Sequence, residues 1–225
     1  MLRSIDYNKV ADIYDDYVNV DFDIPFWLQE AGKARGKVLE LTSGTGRISI
    51  PLLRAGINLM CVDYSTEMLS ILKQKAESAG LACRIVPMDI SDLSLDEQFE
   101  LIFIPFNSLS EILEPAKHRQ ALEHIRAHLA DSGQFLCTLH NPKIRRSTID
   151  GTTGTLGRFP MLSGGSLVVR YQLRYDASSH IAKGLQHYDL SDGTGNLVQQ
   201  RSLNVEFYLF EAEEFEDLAR SSGST

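Results

Sequence analysis

The residues able to do chemistry in this chain stand where apolar runs end: Glu40, Asp63, Asp89 and His140. The first belongs to Val38-Leu39-Glu40-Leu41-Thr42-Ser43-Gly44-Thr45-Gly46-Arg47, an apolar run entering a glycine-bearing turn, with an apolar-periodic segment from Ile48 to Ala55 behind it. That is the pattern of a buried strand, a tight turn and a helix start. Glycines at 44 and 46 let the backbone take positive φ and come close to a ligand. A helix N-terminus presents unpaired N–H groups that suit anionic groups. The turn therefore reads as a nucleotide-type site. Ser49 replaces the third glycine of a dinucleotide fingerprint, and no Gly-Lys-Ser/Thr triplet follows, as a phosphate-binding loop would require. Asp63 ends a second apolar run, Ile57 to Val62, 23 residues after Glu40. That is close to the ~20-residue offset at which a carboxylate meets ribose hydroxyls in this topology. Ser65-Thr66-Glu67-Met68-Leu69 then opens a helix with hydroxyl caps and an early acid.

The remaining pattern, an acid followed by x-x-x-Gly-x-Gly, resembles motif I of the class I S-adenosylmethionine-dependent methyltransferases. Cys61-Val62-Asp63-Tyr64-Ser65-Thr66-Glu67-Met68-Leu69 resembles their motif II, and Ala11-Asp12-Ile13-Tyr14-Asp15 resembles an A-x-x-Y-D segment of small-molecule members. The resemblance covers roughly residues 7 to 140. It implies cofactor contacts from Glu40, Thr42, Gly44, Gly46 and Arg47 around the methionine part and ribose. It assigns Asp63 to the ribose, Met68, Asp89 and Ile90 to adenine, and Tyr64 to cofactor binding. Thr42 is a departure, because the family often has glycine there. Phe106, in Pro105-Phe106-Asn107-Ser108, is expected to line the cofactor pocket. That loop lacks the Asn/Asp-Pro-Pro-Tyr of enzymes that attack adenine or amide nitrogens. Tyr14 is expected to close over the reactive methyl, as an electron-rich ring favours a cation. Its alternative role is to staple its helix to the core. For Asp89 the alternative is a turn cap.

The elements that must hold these residues follow from periodicity. Tyr7, Val10, Ile13, Tyr14 and Tyr17 make residues 1–36 an amphipathic helical segment that closes the site, with Phe26-Trp27 on a second short helix. Residues 37–142 read as a Rossmann-like core. Its third strand runs from Ala82 to Ile90, its fourth from Phe99 to Ile104 and its fifth from Gln134 to Leu139, after a helix from Pro115 to Ala130. Apolar strands alternating with helices give an α/β fold: an open, mainly parallel sheet with helices on both faces and ligands at the strands' carboxyl ends. His140, just past the fifth strand, is the candidate general base, since imidazole titrates near neutrality. His118, His124 and His128 lie off the helix's apolar stripe and read as a solvated face. Without a His-Glu-x-x-His pattern no metal site is expected.

From 143 the texture changes. Lys143 to Gly165 looks like loop, and three alternating strands follow within 143–210, giving a small antiparallel β lid over the substrate or a dimer contact. Arg145, Arg146, Arg158, Arg170 and Arg174 gather positive charge there, read as a solvated sheet face in preference to an anionic-substrate site. Residues 211–225 begin a helix. The strands with which the resembling family completes its sheet are then missing, which leaves an edge open to association.

Composition sets the outer bounds. The 225 residues are 43% apolar, enough for one large core, and carry net charge −8, which argues against nonspecific nucleic-acid binding. No run approaches the ~18–20 apolar residues of a membrane span, and the N-terminus has no signal-like apolar core. Cys61, Cys83 and Cys137 read as reduced, buried thiols of a cytoplasmic protein. The resemblance implies in-line methyl transfer from S-adenosylmethionine to an O, N or C nucleophile of a small molecule, leaving S-adenosylhomocysteine. A homodimer through the lid or the open sheet edge is a further expectation, with no nucleic-acid or membrane partner. Two alternatives are a non-catalytic S-adenosylmethionine-binding scaffold and, with less support, an NAD-dependent oxidoreductase.

Overall fold

A computed structural model describes residues 5–222; the readings made at the extreme ends, on residues 1–4 and 223–225, lie outside it. Helices α1 (Ala11–Tyr17) and α2 (Ile24–Lys33) precede the sheet. Then β1 (Val38–Leu41), α3 (Ser49–Arg54), β2 (Leu59–Asp63), α4 (Thr66–Ser78) and β3 (Arg84–Pro87) form the first half. The second half is β4 (Phe99–Ile104), α5 (Pro115–Ala127) and β5 (Leu129–Cys137). These strands pair in parallel in the order β3-β2-β1-β4-β5, so the order reverses between β1 and β4. At that switch point the carboxyl ends of adjacent strands diverge and leave a crevice.

Strands β1, β2 and β4 are almost wholly buried, as parallel strands covered on both faces must be. One core face gathers Leu39, Leu41, Val62, Phe99, Ile102 and Ile104 against α5. The other sets Trp27, Leu52, Leu72 and Phe103 beneath α2, α3 and α4, with Trp27 stacked on Phe103 at 4.7 Å. Phe26, its neighbour, stays exposed.

The second unit is a four-stranded antiparallel sheet: β6 (Asp150–Pro160), β7 (Ser166–Asp176), β8 (Ile181–Ser191) and β9 (Leu197–Tyr208), in sequence order. It follows a short helix, α6 (Pro142–Ser147), and leads into α7 (Ala212–Ser221), which packs against α5. The stretch expected to be loop, Lys143 to Gly165, thus holds most of α6 and all of β6. Two of its glycines are strand residues beneath aromatic rings: a Cβ on Gly154 would lie 2.5 Å from Tyr171, and one on Gly157 2.7 Å from Phe159. Strand residues without side chains mark such close approach.

Three more boundaries are corrected. The third strand pairs only over Arg84–Pro87, because Asp89 caps a 3₁₀ turn, accepting from Ser91 N–H at 3.0 Å. α5 ends at Ala127, and Asp131-Ser132-Gly133 belongs to β5, which bulges there against β4. His118 and His128 are buried, not solvated. His118 Nε2 lies 2.6 Å from Ile112 O and its ring packs on Tyr208 and Phe210; His128 Nε2 accepts from Leu95 N–H. The cysteines are free thiols, with Cys61 buried and Cys83 and Cys137 half-buried. No helix among the described residues is long and apolar enough to cross a membrane.

Candidate functional site

The cleft opens at the carboxyl ends of β1, β2 and β4, and the second sheet covers it. Its turn runs through left-handed backbone: Thr42 has φ 59°, Gly44 54° and Gly46 86°. A β-branched residue at positive φ is an outlier, so Thr42 holds by local bonding what glycine would take freely. Its hydroxyl donates to Leu41 O at 2.5 Å. Asp63, at the end of β2, fixes the turn from beside it. One carboxylate oxygen accepts from Gly44 N–H and the other from Ser65 N–H, both at 2.8 Å. Ser65 also caps α4, accepting from Met68 N–H at 3.1 Å.

Three adjoining lobes make up the cleft. The central lobe, about 330 Å³, is walled by Tyr14, Gly44, Met68, Phe106 and His140. It also meets the lid through Arg145, Gln186, Val205 and Phe207. A second lobe lies beside Asp89, Ile90, Met88 and Ile112, and shares Thr42, Asp63, Tyr64 and Glu111 with the first. A small third lobe reaches Glu40, Ser43 and Arg47 under Tyr14 and Phe106. The central lobe falls in the ~300–1,000 Å³ class of small-molecule sites. Every site residue named from the sequence borders one of these lobes except Gly46. Gly46 turns instead toward α4, where a Cβ would sit 2.3 Å from Leu72 Cδ1.

Several of these side chains are already committed to neighbours. Arg47 forks onto Asp23, with bonds of 2.5 and 2.9 Å, and its guanidinium lies 4.8 Å above the Phe106 ring. Glu40 is buried and accepts from Ser49 Oγ at 2.6 Å; burial pushes its carboxyl up to about 8, with the serine bond and Arg47 opposing. The Ser49 that breaks the dinucleotide fingerprint therefore serves this acid. Tyr14 meets Tyr7 and Tyr17 edge-to-face at 5.8 and 5.4 Å, and burial raises its hydroxyl above its ordinary value. His140 is lowered to about 4 by burial and then by Arg145, so its ring is neutral at physiological pH. Asn141 beside it caps α6, accepting from Ile144 N–H at 3.1 Å.

Residues that sequence reasoning did not single out complete the cleft. Glu111 accepts from Tyr7 Oη at 2.8 Å, and burial, with Asp63 adding, pushes its carboxyl up to about 8. Its only sequence signal is an acid soon after the fourth strand. Asp15 holds the turn from α1, accepting from Thr45 Oγ1 at 2.6 Å and pairing with Lys75 at 2.5 Å. Gln186, Val205 and Phe207 come from the lid, where alternation marks a strand but not what it faces. No cluster of metal-ligating side chains occurs among the described residues.

Comparison with known proteins agrees with this architecture. Residues 38–133 match the family described as a methyltransferase domain. A putative methyltransferase of Bacillus subtilis is 26% identical over 141 residues, which is 60% of this chain and 56% of that protein. The chain spans about half the length of the curated relatives it matches. Among solved structures, a S-adenosylmethionine-dependent methyltransferase from Clostridium acetobutylicum superposes with a TM-score of 0.80 at 22% identity, covering 96% of this chain and 87% of that one. A sugar N-methyltransferase from Streptoalloteichus gives 0.78 at 19% identity over 99% and 85%. Residues 38–133 thus match a methyltransferase domain, and the chain as a whole has the fold of the S-adenosylmethionine-dependent methyltransferases.

Proposed function

We propose that the protein transfers the methyl group of S-adenosylmethionine to a small-molecule nucleophile. The observation that carries this reading is the convergence of Asp63, the Thr42–Gly44 turn and Tyr14 on one lid-covered cleft at the sheet's switch point. The residues fit the cofactor's parts. Asp63 stands where ribose hydroxyls are met, and Asp89 with the Ile90 backbone pairs an acceptor with a donor for an adenine edge. The turn offers bare backbone, since nothing lies within 4 Å of where a Gly44 Cβ would be. Thr42, Glu40 and the Arg47–Phe106 pair frame the methionine end, and Met68 and Tyr64 supply apolar wall. When bound, S-adenosylmethionine supplies a methyl on a positively charged sulfur.

Positioning supplies most of the rate in such a displacement, with the nucleophile held about 3–3.5 Å from the methyl. Tyr14 offers a ring face for the cation and a protonated hydroxyl, a donor and not a base. His140 keeps a free lone pair at neutral pH but is a weak base. It accepts a proton only from an acceptor made strongly acidic by its new bond to carbon, which suits oxygen; an amine must arrive already neutral. A small-molecule acceptor is supported by the sugar N-methyltransferase with the same fold. Exposed Leu197 and Val198 on the lid support a second copy docking there, which analytical ultracentrifugation would test.

Calorimetric titration with S-adenosylmethionine, S-adenosylhomocysteine and NAD tests the reading. The adenosyl ligands should bind and NAD should not, with Asp63→Ala weakening binding at least about tenfold. Asp63→Asn, run with a melting curve, separates loss of the carboxylate from collapse of the turn it braces. Binding followed by methyl transfer in a mass-spectrometric acceptor screen distinguishes an enzyme from a scaffold. Binding of NAD alone would overturn the proposal.

A further inference from the structure

The lid side of the cleft holds a cation without a counter-ion. Arg145, on α6, is half-buried and borders the central lobe beside His140, Gln186 and Phe207. Its guanidinium lies 5.0 Å above the Phe207 ring. Its Nε is shut off from solvent and has no hydrogen-bond partner. Among the other lid arginines, Arg146 pairs with Glu211, Arg170 pairs with Asp189, Arg158 bonds Ser166, and Arg174 is exposed to water. No carboxylate among the described residues pairs with Arg145. A half-buried guanidinium without a counter-ion carries a desolvation cost that an anionic ligand would offset.

The chemistry of the ligand follows from the group that lines the lobe. A guanidinium matches two carboxylate oxygens with parallel hydrogen bonds. Leu156, Val205 and Phe207 make the surrounding wall apolar, so one cation there balances one negative charge. A phosphate dianion would leave charge uncompensated and would face Asp63 across the same lobe. Gln186 adds a neutral amide, able to donate to one carboxylate oxygen.

We infer that the methyl acceptor is a carboxylate-bearing small molecule, seated by its carboxylate on the guanidinium of Arg145 over the Phe207 ring. The inference rests on reading the cleft as a methyl-transfer site and adds the acceptor's anionic handle. It also gives Arg145 a role other than the solvated sheet face expected from the sequence.

The test titrates matched pairs into the full chain: acetate and acetamide, benzoate and benzamide, glycine and glycinamide, with inorganic phosphate alongside. Each titration is made with and without saturating S-adenosylhomocysteine. At least one carboxylate should bind about tenfold or more tightly than its amide. Arg145→Met should abolish the difference, and Arg145→Lys should restore part of it. S-adenosylhomocysteine affinity should stay within about threefold in both variants, which also shows that they fold. Equal affinity for acids and amides, discrimination that survives Arg145→Met, or binding of phosphate alone would overturn the inference. If the unliganded chain discriminates but S-adenosylhomocysteine never binds, the carboxylate site stands and the methyl-transfer reading of it falls.

Discussion

Glu111 gives the cleft a proton that a cationic ligand should displace. Buried beside Asp63 and bonded to Tyr7 Oη, its carboxyl is raised to about 8, so it is protonated at neutral pH in the free chain. A positive charge in the same lobe favours the ionised form and pulls that pKa down. Binding then releases a proton at any pH between the bound and free values. Affinity for S-adenosylmethionine should rise with pH until about 8 and level off above it. S-adenosylhomocysteine, without the sulfonium charge, should show a shallower rise, and Glu111→Gln should flatten both. Calorimetry across this range, in buffers of different ionisation heat, counts the protons. A slope that persists in Glu111→Gln would assign the proton elsewhere. For folding the sign is reversed. The stability that a raised carboxyl such as Glu111 or Glu40 contributes is full below the ordinary carboxyl range and is lost as pH rises through about 8.

At the scale of elements, the turn between β1 and α3 carries opposite strains at its two ends. Thr42 holds φ 59° against its β-branch, so Thr42→Gly should stabilise the chain by about 0.5–1 kcal/mol. Gly46→Ala should cost about 2 kcal/mol, because φ is 86° and the new Cβ would overlap Leu72 Cδ1. Urea unfolding at unchanged m-value measures both, and shifts of the same sign would refute the account. This turn was legible because residue type and backbone conformation coincide at Gly44 and Gly46, and because the acid at 63 follows at a spacing set by the sheet. The parallel strands were legible because burial on both faces leaves a continuous apolar run. Less could be read where structure depends on distant contacts. β6 reads as loop because its glycine at 154 makes room for Tyr171 from the next strand. His118 and His128 read as solvated because the partners that bury them, Tyr208, Phe210 and Leu95, lie outside the helix. Arg145 and Phe207 reach the cleft only once the lid folds back over the sheet.

For the molecule as a whole, α1 joins the parallel sheet to the lid, beside the packing of Tyr208 and Phe210 against α5. One side of it holds the Rossmann-like core through Asp15, which engages both Thr45 and Lys75. The other side is bound to the lid. Val10, Ile13 and Tyr17 share an apolar cluster with Leu167, Val169, Tyr188 and Leu203, while Arg201 forks onto Asp12 and Asp16 accepts from Leu162 N–H. Tyr17 and Tyr188 meet edge-to-face at 5.4 Å, with their hydroxyls 3.1 Å apart, and Tyr17 in turn contacts Tyr14 at the cleft. Tyr188 is wholly buried and does not border the cleft, so its removal reports on the connection alone. Tyr188→Phe should cost about 1 kcal/mol, one hydrogen bond. Tyr188→Ala should cost about 3–5 kcal/mol and, by freeing Tyr14, weaken S-adenosylhomocysteine binding severalfold. Hydrogen exchange read by mass spectrometry distinguishes a joint from mere packing. If α1 couples the two units, amides of residues 11–17 and of β7 and β8 will all exchange faster in Tyr188→Ala, as one cooperative opening. Faster exchange confined to the lid, with α1 still protected and affinity unchanged, would mean that the two sheets open independently and that α1 is anchored by the parallel sheet alone.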